Sequence, residues 1–178
     1  MQLVLARHCE TNYNILKLCN SDPSVLVHLT EKGKIQAQDL SKKLANFKFD
    51  KIFISELPRA LETANYINNY HDMEFTVDSR INDNNTGFEG KSVSEWQSAL
   101  LNSKNKWTAK FNNGESLSDS YDRVVSFLED LKKTSFNAVL VVTHGYIVQC
   151  VYKYCNNTTF EEADEHQLPQ GTYEEYSI

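Results

Sequence analysis

The sequence has no long apolar run, no excess of basic residues and no cysteine pair at metal-binding spacing. No stretch approaches the ~20 apolar residues that a membrane span needs, so we expect no transmembrane segment and no membrane partner. The formal net charge of -6 disfavours a nucleic-acid partner held on a broad basic surface. The first apolar run begins at about Leu3 and leads into candidate functional residues, so we expect no secretory signal there.

Cysteine usage is low and follows no disulfide pattern. The four cysteines, Cys9, Cys19, Cys150 and Cys155, have no CxxC spacing. Reduced thiols in a cytoplasmic protein are the simplest explanation.

What the sequence does contain is typical of one globular domain. Its 178 residues are 40% hydrophobic and 24% charged, with no repeat, low-complexity tract or linker. Strand-like and helix-like patterns alternate, which predicts an α/β fold. Helices are predicted to begin near Thr30, Pro58, Ser92, Ser116 and just after His144, strands over Phe75–Val77 and Thr172–Ile178, and a loop over Asn82–Gly90.

Polar side chains follow three apolar runs that read as buried parallel strands. These runs are Leu3–Ala6 followed by Arg7 and His8, Ile52–Ile54 followed by Ser55 and Arg59, and Val139–Val142 followed by Thr143 and His144. The carboxyl ends of parallel strands meet at one edge of an open α/β sheet, where ligands bind. The sequence therefore predicts two arginines and two histidines close together.

These residue types suit a phosphoryl group. Arg7 and Arg59 can hold phosphate oxygens bidentately, and their charge lowers the pKa of a nearby imidazole. A neutral imidazole is a potential nucleophile. Thr11 and Asn14 can add neutral contacts, and a carboxylic acid is needed to protonate a leaving alkoxide.

Six sequence elements, in order, resemble those of the histidine phosphatase superfamily, also called the phosphoglycerate mutase-like family. Arg7–Thr11 resembles its RHGET motif, and the other five are Leu29–Ala37 (LTxxGxxQA), Ser55–Ala64 (SxLxRAxxTA), Ile81–Gly90 (LxExxxGxxEG), Gly114–Ser116 (GES) and Val142–Gly145 (VxHG). The resemblance spans nearly the whole chain. It implies a three-layer α/β/α sandwich around a mostly parallel sheet with one antiparallel strand.

The resemblance also implies a mechanism. His8 would be the nucleophile that becomes phosphohistidine. Arg7, Arg59 and His144 would bind the phosphoryl group, with Asn14 assisting. The family uses no metal and no organic cofactor, so we expect neither.

Two positions depart from the family pattern. Cys9 stands where the family has glycine. It is interpreted either as a small side chain that the turn tolerates or as a redox-sensitive thiol beside the nucleophile that the resemblance implies. Asp83 stands where the family has its proton-donating glutamate, in a loop one residue shorter. Glu10 and Glu89 are the next candidate acids.

The segment from about 79 to 115 has two open interpretations. It contains Trp96, Trp107 and several lysines. It is either a cap that covers the pocket and selects the substrate, or a surface helix with an aromatic anchor in the core.

The sequence thus predicts a metal-independent phosphatase acting on a small-molecule phosphate monoester. The alternatives are a phosphoglycerate mutase-type phosphotransferase, a protein phosphatase acting on phosphohistidine or phosphoserine, and a non-catalytic phosphate-binding or scaffold module. The substrate and the oligomeric state stay open.

Overall fold

A computed structural model describes all residues of the chain, 1–178. Five strands form one mixed sheet in the order β3-β2-β4-β1-β5. The strands are β1 (Gln2–Arg7), β2 (Lys51–Ile54), β3 (Phe75–Val77), β4 (Ala138–Thr143) and β5 (Tyr173–Ser177). All neighbouring pairs are parallel except β1 and β5, which are antiparallel. The predicted α/β fold with one antiparallel strand is confirmed.

Seven α-helices and one short 3-10 turn, Ser79–Ile81, connect or follow these strands. The helices are α1 (Asn12–Leu16), α2 (Glu31–Leu44), α3 (Pro58–Asn68), α4 (Val93–Leu101), α5 (Leu117–Leu131), α6 (Gly145–Asn156) and α7 (Phe160–Glu165). None of them has the length and apolar character that crossing a bilayer requires. The predicted starts are explained by local chemistry: Thr30, Ser92 and Ser116 accept hydrogen bonds from the first turns that follow them.

Apolar side chains cover both faces of the sheet. Because successive strand residues point to opposite faces, Leu3 and Leu5 pack on one side and Val4 and Ala6 on the other. The first side is covered by α5 and α6, and the second by α2 and α3. The result is three layers, with β4 buried along its whole length and β1 buried except at its two ends.

The register of the central strands aligns their carboxyl ends. Arg7 of β1 lies opposite Thr143 of β4, and Ile54 of β2 lies opposite Val142. The residues that follow each strand therefore emerge at one edge of the sheet, and that edge carries the polar cluster described below.

One predicted packing face differs in the structure. Val93, Trp96 and Leu100 share a side of α4, as their spacing indicates, yet no residue of α4 is fully buried. This helix lies over two cavities instead of the sheet, so its apolar side is only partly covered.

Candidate active site

A cavity of about 250 Å³ opens at the carboxyl edge of the sheet. Six of the seven residues predicted from the sequence line it: Arg7, His8, Thr11, Asn14, Arg59 and Asp83. His144 lies directly behind this lining, with its ring centre 5.2 Å from that of His8.

His8 is held in one tautomer by the backbone. Its side chain is buried, and Nδ1 lies 2.8 Å from the carbonyl oxygen of Cys9. A carbonyl can only accept, so Nδ1 carries the proton and Nε2 keeps its lone pair. The backbone N–H of His8 donates to Thr143 O at 2.9 Å, which fixes the residue to the end of β4. The site thus presents an unprotonated ring nitrogen.

Arg59 is the most connected side chain of the site. It is buried in the first turn of α3, and its Nε donates to His144 Nδ1 at 3.2 Å. Nη1 donates to Asn20 Oδ1 at 2.6 Å, and Nη2 to Asp83 Oδ2 at 3.0 Å. These contacts hold the guanidinium plane in one orientation beside the cavity.

His144 takes the opposite tautomer to His8. Because its Nδ1 accepts from Arg59, its proton resides on Nε2, which lies 2.7 Å from Ser55 Oγ. Ser55 Oγ in turn donates to Asn82 Oδ1 at 2.9 Å. A chain of hydrogen bonds therefore fixes His144 from the end of β2.

Both imidazoles are held neutral. The pKa of His8 and that of His144 lie well below the usual histidine value, first because burial disfavours the charged ring. The positive charge of Arg59 is the second cause for each. Neutral rings between fixed cations suit the capture of an anion and nucleophilic attack on it.

Arg7 leaves part of its guanidinium without a protein partner. Nη1 donates to Leu168 O at 2.7 Å, whereas the buried Nε makes no hydrogen bond. Gly145 permits this position, since a Cβ there would lie 3.0 Å from Arg7 Cζ. Burial lowers the pKa of Arg7, but a guanidinium in a protein stays protonated. Arg7 is therefore a cation at the cavity whose guanidinium makes only one hydrogen bond to the protein, through Nη1.

Thr11 and Asn14 form the start of α1. Asn14 Oδ1 accepts from the backbone N–H of Thr11 at 2.9 Å and from its hydroxyl at 2.8 Å. The side-chain NH₂ of Asn14 has no protein acceptor and is free for a ligand. Thr11 is buried, so its contribution is to orient Asn14.

Asp83 stands at the mouth of the cavity. Its side chain is 29% exposed, and Oδ2 lies 3.0 Å from Arg59 Nη2 and 3.8 Å from His144 Nδ1. Arg123 holds the loop from the other side, donating to the carbonyl oxygen of Asp83 at 3.1 Å and to Glu115 Oε1 at 2.7 Å. This carboxylate therefore reaches the same space as the two imidazoles.

The structure places the two other candidate acids away from the cavity. Glu10 accepts from Lys32 at 2.7 Å and from Thr30 at 2.9 Å, and these hydrogen bonds lower its pKa, that with Lys32 most. Glu89 accepts from Asn20 Nδ2 at 2.8 Å and from the backbone N–H of Ser21 at 2.7 Å. Both carboxylates are engaged in structural contacts, and neither lines the cavity.

Cys9 is not the reactive thiol that an arginine-lined pocket would favour. Its side chain is buried beside Leu29 and Ala37, outside the cavity, and burial raises the pKa of its thiol to about 12. Its φ is not positive, so the glycine of the family pattern is not required for backbone conformation. The tolerated-side-chain interpretation fits this geometry.

Two positioning residues were not identified from the sequence, Asn20 and Arg123, and Ser55 was noted only for its place at a strand end and in the SxLxRAxxTA element. Each is a single polar residue that acts through a contact distant in sequence, and no spacing signals such a contact. Glu115 falls in the GES element, which was its only signal. No group of three or more His, Cys, Asp and Glu side chains is arranged to hold a metal ion.

Solved structures and curated relatives resemble this chain in fold and sequence. The alpha-ribazole phosphatase from Shigella flexneri superposes with a TM-score of 0.89 at 26% identity, covering 100% of this chain and 91% of its own. Phosphoserine phosphatase 1 of Hydrogenobacter thermophilus is 31% identical over 161 residues, 85% of this chain and 74% of that protein. A 2,3-bisphosphoglycerate-dependent phosphoglycerate mutase of Treponema denticola is 27% identical, covering 96% of this chain and 84% of the mutase.

The family assignment is direct. Residues 3–178 match the family model described as histidine phosphatase superfamily (branch 1). With the fold, the ordered motifs and the relatives in agreement, the chain belongs to the histidine phosphatase superfamily.

Proposed function

We propose that this chain is a metal-independent phosphoric monoester hydrolase that acts on a small-molecule phosphate ester, in the cytoplasm, through a phosphohistidine on His8. One observation carries the proposal. A neutral imidazole with its Nε2 lone pair free lies in a cavity that also receives the guanidinium groups of Arg7 and Arg59.

The first step transfers the phosphoryl group to the protein. Phosphate oxygens bind Arg7, Arg59 and the free NH₂ of Asn14, which neutralise and orient the ester. Nε2 of His8 attacks phosphorus in line, so a P–N bond forms as the ester P–O bond breaks. The carbonyl oxygen of Cys9 accepts a hydrogen bond from Nδ1–H throughout, and it stabilises the charge that the ring gains.

Asp83 supplies and then recovers the proton. Asp83 takes up one proton, from solvent or from the bound phosphate monoanion, and as the P–O bond breaks its carboxylic acid protonates the leaving oxygen to give the free alcohol. The resulting carboxylate takes a proton from water, whose oxygen attacks phosphorus and breaks the P–N bond. Inorganic phosphate leaves, and His8 and Asp83 return to their starting states.

Substrate binding must open the Arg59–Asp83 ion pair. The carboxylate occupies one of the donors that a phosphate oxygen needs, at 3.0 Å from Arg59 Nη2. An arriving phosphate dianion replaces the carboxylate as the acceptor at Arg59 and repels it, which releases the Asp83 side chain toward the leaving oxygen. The ion pair thus links phosphate binding to the release of Asp83.

The segment 79–115 is proposed as a cap on a single catalytic domain. Asp83, Asn84 and Thr86 line one side of the cavity, and Val93 and Trp96 of α4 line another. Each of these residues comes from the segment between the 3-10 turn and α5. Variation in this segment would change the substrate without changing the phosphoryl site.

The test combines turnover with trapping of the intermediate. Native protein with chelator present is expected to hydrolyse a panel of phosphate esters and, on rapid quench, to carry acid-labile, base-stable phosphate on His8. His8→Ala is expected to lose about 10³-fold or more in kcat/KM and all labelling. Asp122→Asn, an exposed change on α5, is the control expected to keep both.

Other outcomes identify the alternatives. Loss of turnover with chelator, or retention by His8→Ala, contradicts the mechanism. Transfer of phosphate between phosphoglycerates faster than release to water indicates a mutase. Preference for phosphopeptides indicates a protein phosphatase, and phosphate binding without turnover indicates a scaffold module.

A further inference from the structure

A second cavity continues from the phosphoryl site. It has a volume of about 510 Å³ and shares Arg7, Trp96, Gly145 and Tyr146 with the first cavity. A phosphate ester held at Arg7 therefore has an adjoining space, of about the size of a small organic molecule, for the group attached to its bridging oxygen. A smaller cavity of about 390 Å³, lined by Lys17, adjoins the phosphoryl site at Asn14 and Val93, away from Arg7.

The charges around this second cavity are already paired. Its lining holds three charged side chains: Arg7, Lys106 and Asp164. Arg7 serves the phosphoryl group, and Lys106 Nζ lies 2.9 Å from Asp164 Oδ2. Lys106 also stacks on the Trp107 ring at 4.2 Å from its centre. No cation is left to neutralise a carboxylate or a second phosphate on the substrate.

The remaining lining combines apolar surface with hydrogen-bond acceptors. Trp96 and Tyr146 contribute aromatic rings, and Leu100 and Leu101 contribute aliphatic surface. The side-chain NH₂ of Gln149 donates hydrogen bonds to the carbonyl oxygens of Asp164 and His166, at 3.1 Å and 3.2 Å.

The side-chain NH₂ of Gln167 is also engaged, because it donates to Asp164 O at 3.0 Å. Gln149 and Gln167 thus each keep an Oε1 with no protein donor, whereas Gln97, the third glutamine of the lining, has its whole amide free. Such oxygens bind hydroxyl or N–H groups and repel carboxylates.

Contacts on the far side fix this wall in place. Trp107 stacks on Phe160 of α7 with ring centres 5.0 Å apart, and its Nε1 donates to Glu161 at 2.8 Å. Together with the Lys106–Asp164 pair, they fasten the segment that follows α4 to α7. The second cavity is therefore a preformed feature of the fold.

We infer that the second cavity binds the leaving group, and that this group is an uncharged alcohol with a ring or other broad apolar part and at least one hydroxyl or N–H donor. The inference rests on the proposed function, which supplies the phosphoryl anchor. It excludes esters whose alcohol carries a second anion.

Three phosphate esters test the inferred preference for an uncharged, apolar alcohol: 2-phenylethyl phosphate, ethyl phosphate and 3-phosphoglycerate. Each releases a primary alcohol, so their leaving oxygens are chemically similar. We expect kcat/KM for the phenylethyl ester to exceed that for ethyl phosphate by about tenfold or more, since a single buried methylene group is already worth about tenfold. The value for 3-phosphoglycerate is expected to fall below that for ethyl phosphate. Trp96→Ala and Leu100→Ala should remove the preference, and Ile35→Ala on α2 should keep it.

A gain of function provides an independent readout. Leu101 is 80% exposed, so Leu101→Lys adds a free cation to the cavity without disturbing the fold. It should raise kcat/KM for 3-phosphoglycerate about fivefold or more, whereas Leu101→Gln should not. Equal values for the three esters, or the highest for 3-phosphoglycerate in native protein, would overturn the inference. Absence of turnover with all three would instead overturn the proposed function.

Discussion

At the scale of single residues, Arg59 connects the parts of the site. Its guanidinium contacts His144, Asn20 and Asp83, so it meets residues from three separate loops. Glu89 acts through Asn20, which it contacts at 2.8 Å. One of the candidate acids is therefore a positioning group for the arginine, and Asp83 is the remaining carboxylate within reach of the chemistry.

Asp83→Asn should affect esters according to their leaving group. An asparagine cannot donate an acidic proton, so alkyl phosphates should lose about 10²- to 10⁴-fold in kcat. p-Nitrophenyl phosphate should lose less than about tenfold, because its phenolate departs unprotonated. Steady-state kinetics on both esters checks this. Equal losses would identify another acid.

Cys9 should be inert toward thiol reagents although it adjoins His8, the proposed nucleophile. Its pKa of about 12 leaves almost no thiolate near neutral pH, and the side chain is buried. Iodoacetamide is expected to modify the part-exposed Cys155 first and to leave activity intact. Mass spectrometry of the labelled peptides, followed in parallel with activity, checks this. Inactivation that follows Cys9 labelling would contradict it.

At the scale of elements, the sequence predicted those strands and helix starts that apolar periodicity and capping residues determine. The strands and the starts of α2, α3, α4 and α5 follow from apolar runs and capping residues. The helices α1 and α7 were missed because they are 5 and 6 residues long, too short for an amphipathic period. The strand-end rule predicted which residues meet at the sheet edge. It could not predict the contacts of Ser55 with His144 or of Asn20 with Arg59, because these depend only on how distant parts of the chain pack together.

The first turn of α2 packs directly on the loop that carries His8. A Cβ added at Gly33 would lie 2.0 Å from the carbonyl oxygen of Glu10. Gly33→Ala gains about 1 kcal/mol of helix propensity, but a backbone clash of this size exceeds that gain. We expect the free energy of unfolding to fall by about 1–3 kcal/mol and kcat/KM to drop as the loop shifts.

Urea unfolding and turnover of a phosphate ester measure the two effects. Gln38→Ala, an exposed position on the same helix, is the matched control and should change stability by less than about 0.5 kcal/mol. A stabilised Gly33→Ala protein would show that the loop adapts without cost.

At the scale of the whole molecule, the two buried imidazoles should make folding pH-dependent. Their pKa values are depressed in the folded state, so the unfolded chain binds protons that the folded chain does not. Stability is therefore complete above about pH 6.5 and declines as pH falls below it, by up to about 1.4 kcal/mol per pH unit for each histidine.

Thermal or urea unfolding between pH 8 and pH 5 measures this slope. His8→Gln and His144→Gln should each flatten it between pH 6.5 and pH 5, where most carboxylates stay ionised. His28→Gln, an exposed histidine, is the control and should leave the slope unchanged. A slope that is the same in all four proteins would assign the pH dependence to other groups.

The arrangement of the central strands has a consequence for synthesis. β1 and β4 are neighbours in the sheet but come from opposite ends of the chain. A ribosome that has released the first hundred residues has exposed His8 and Arg59, yet it has not made the strand between β1 and β2. The proposed catalytic centre is therefore completed late, and nascent or prematurely terminated chains should not hydrolyse phosphate esters.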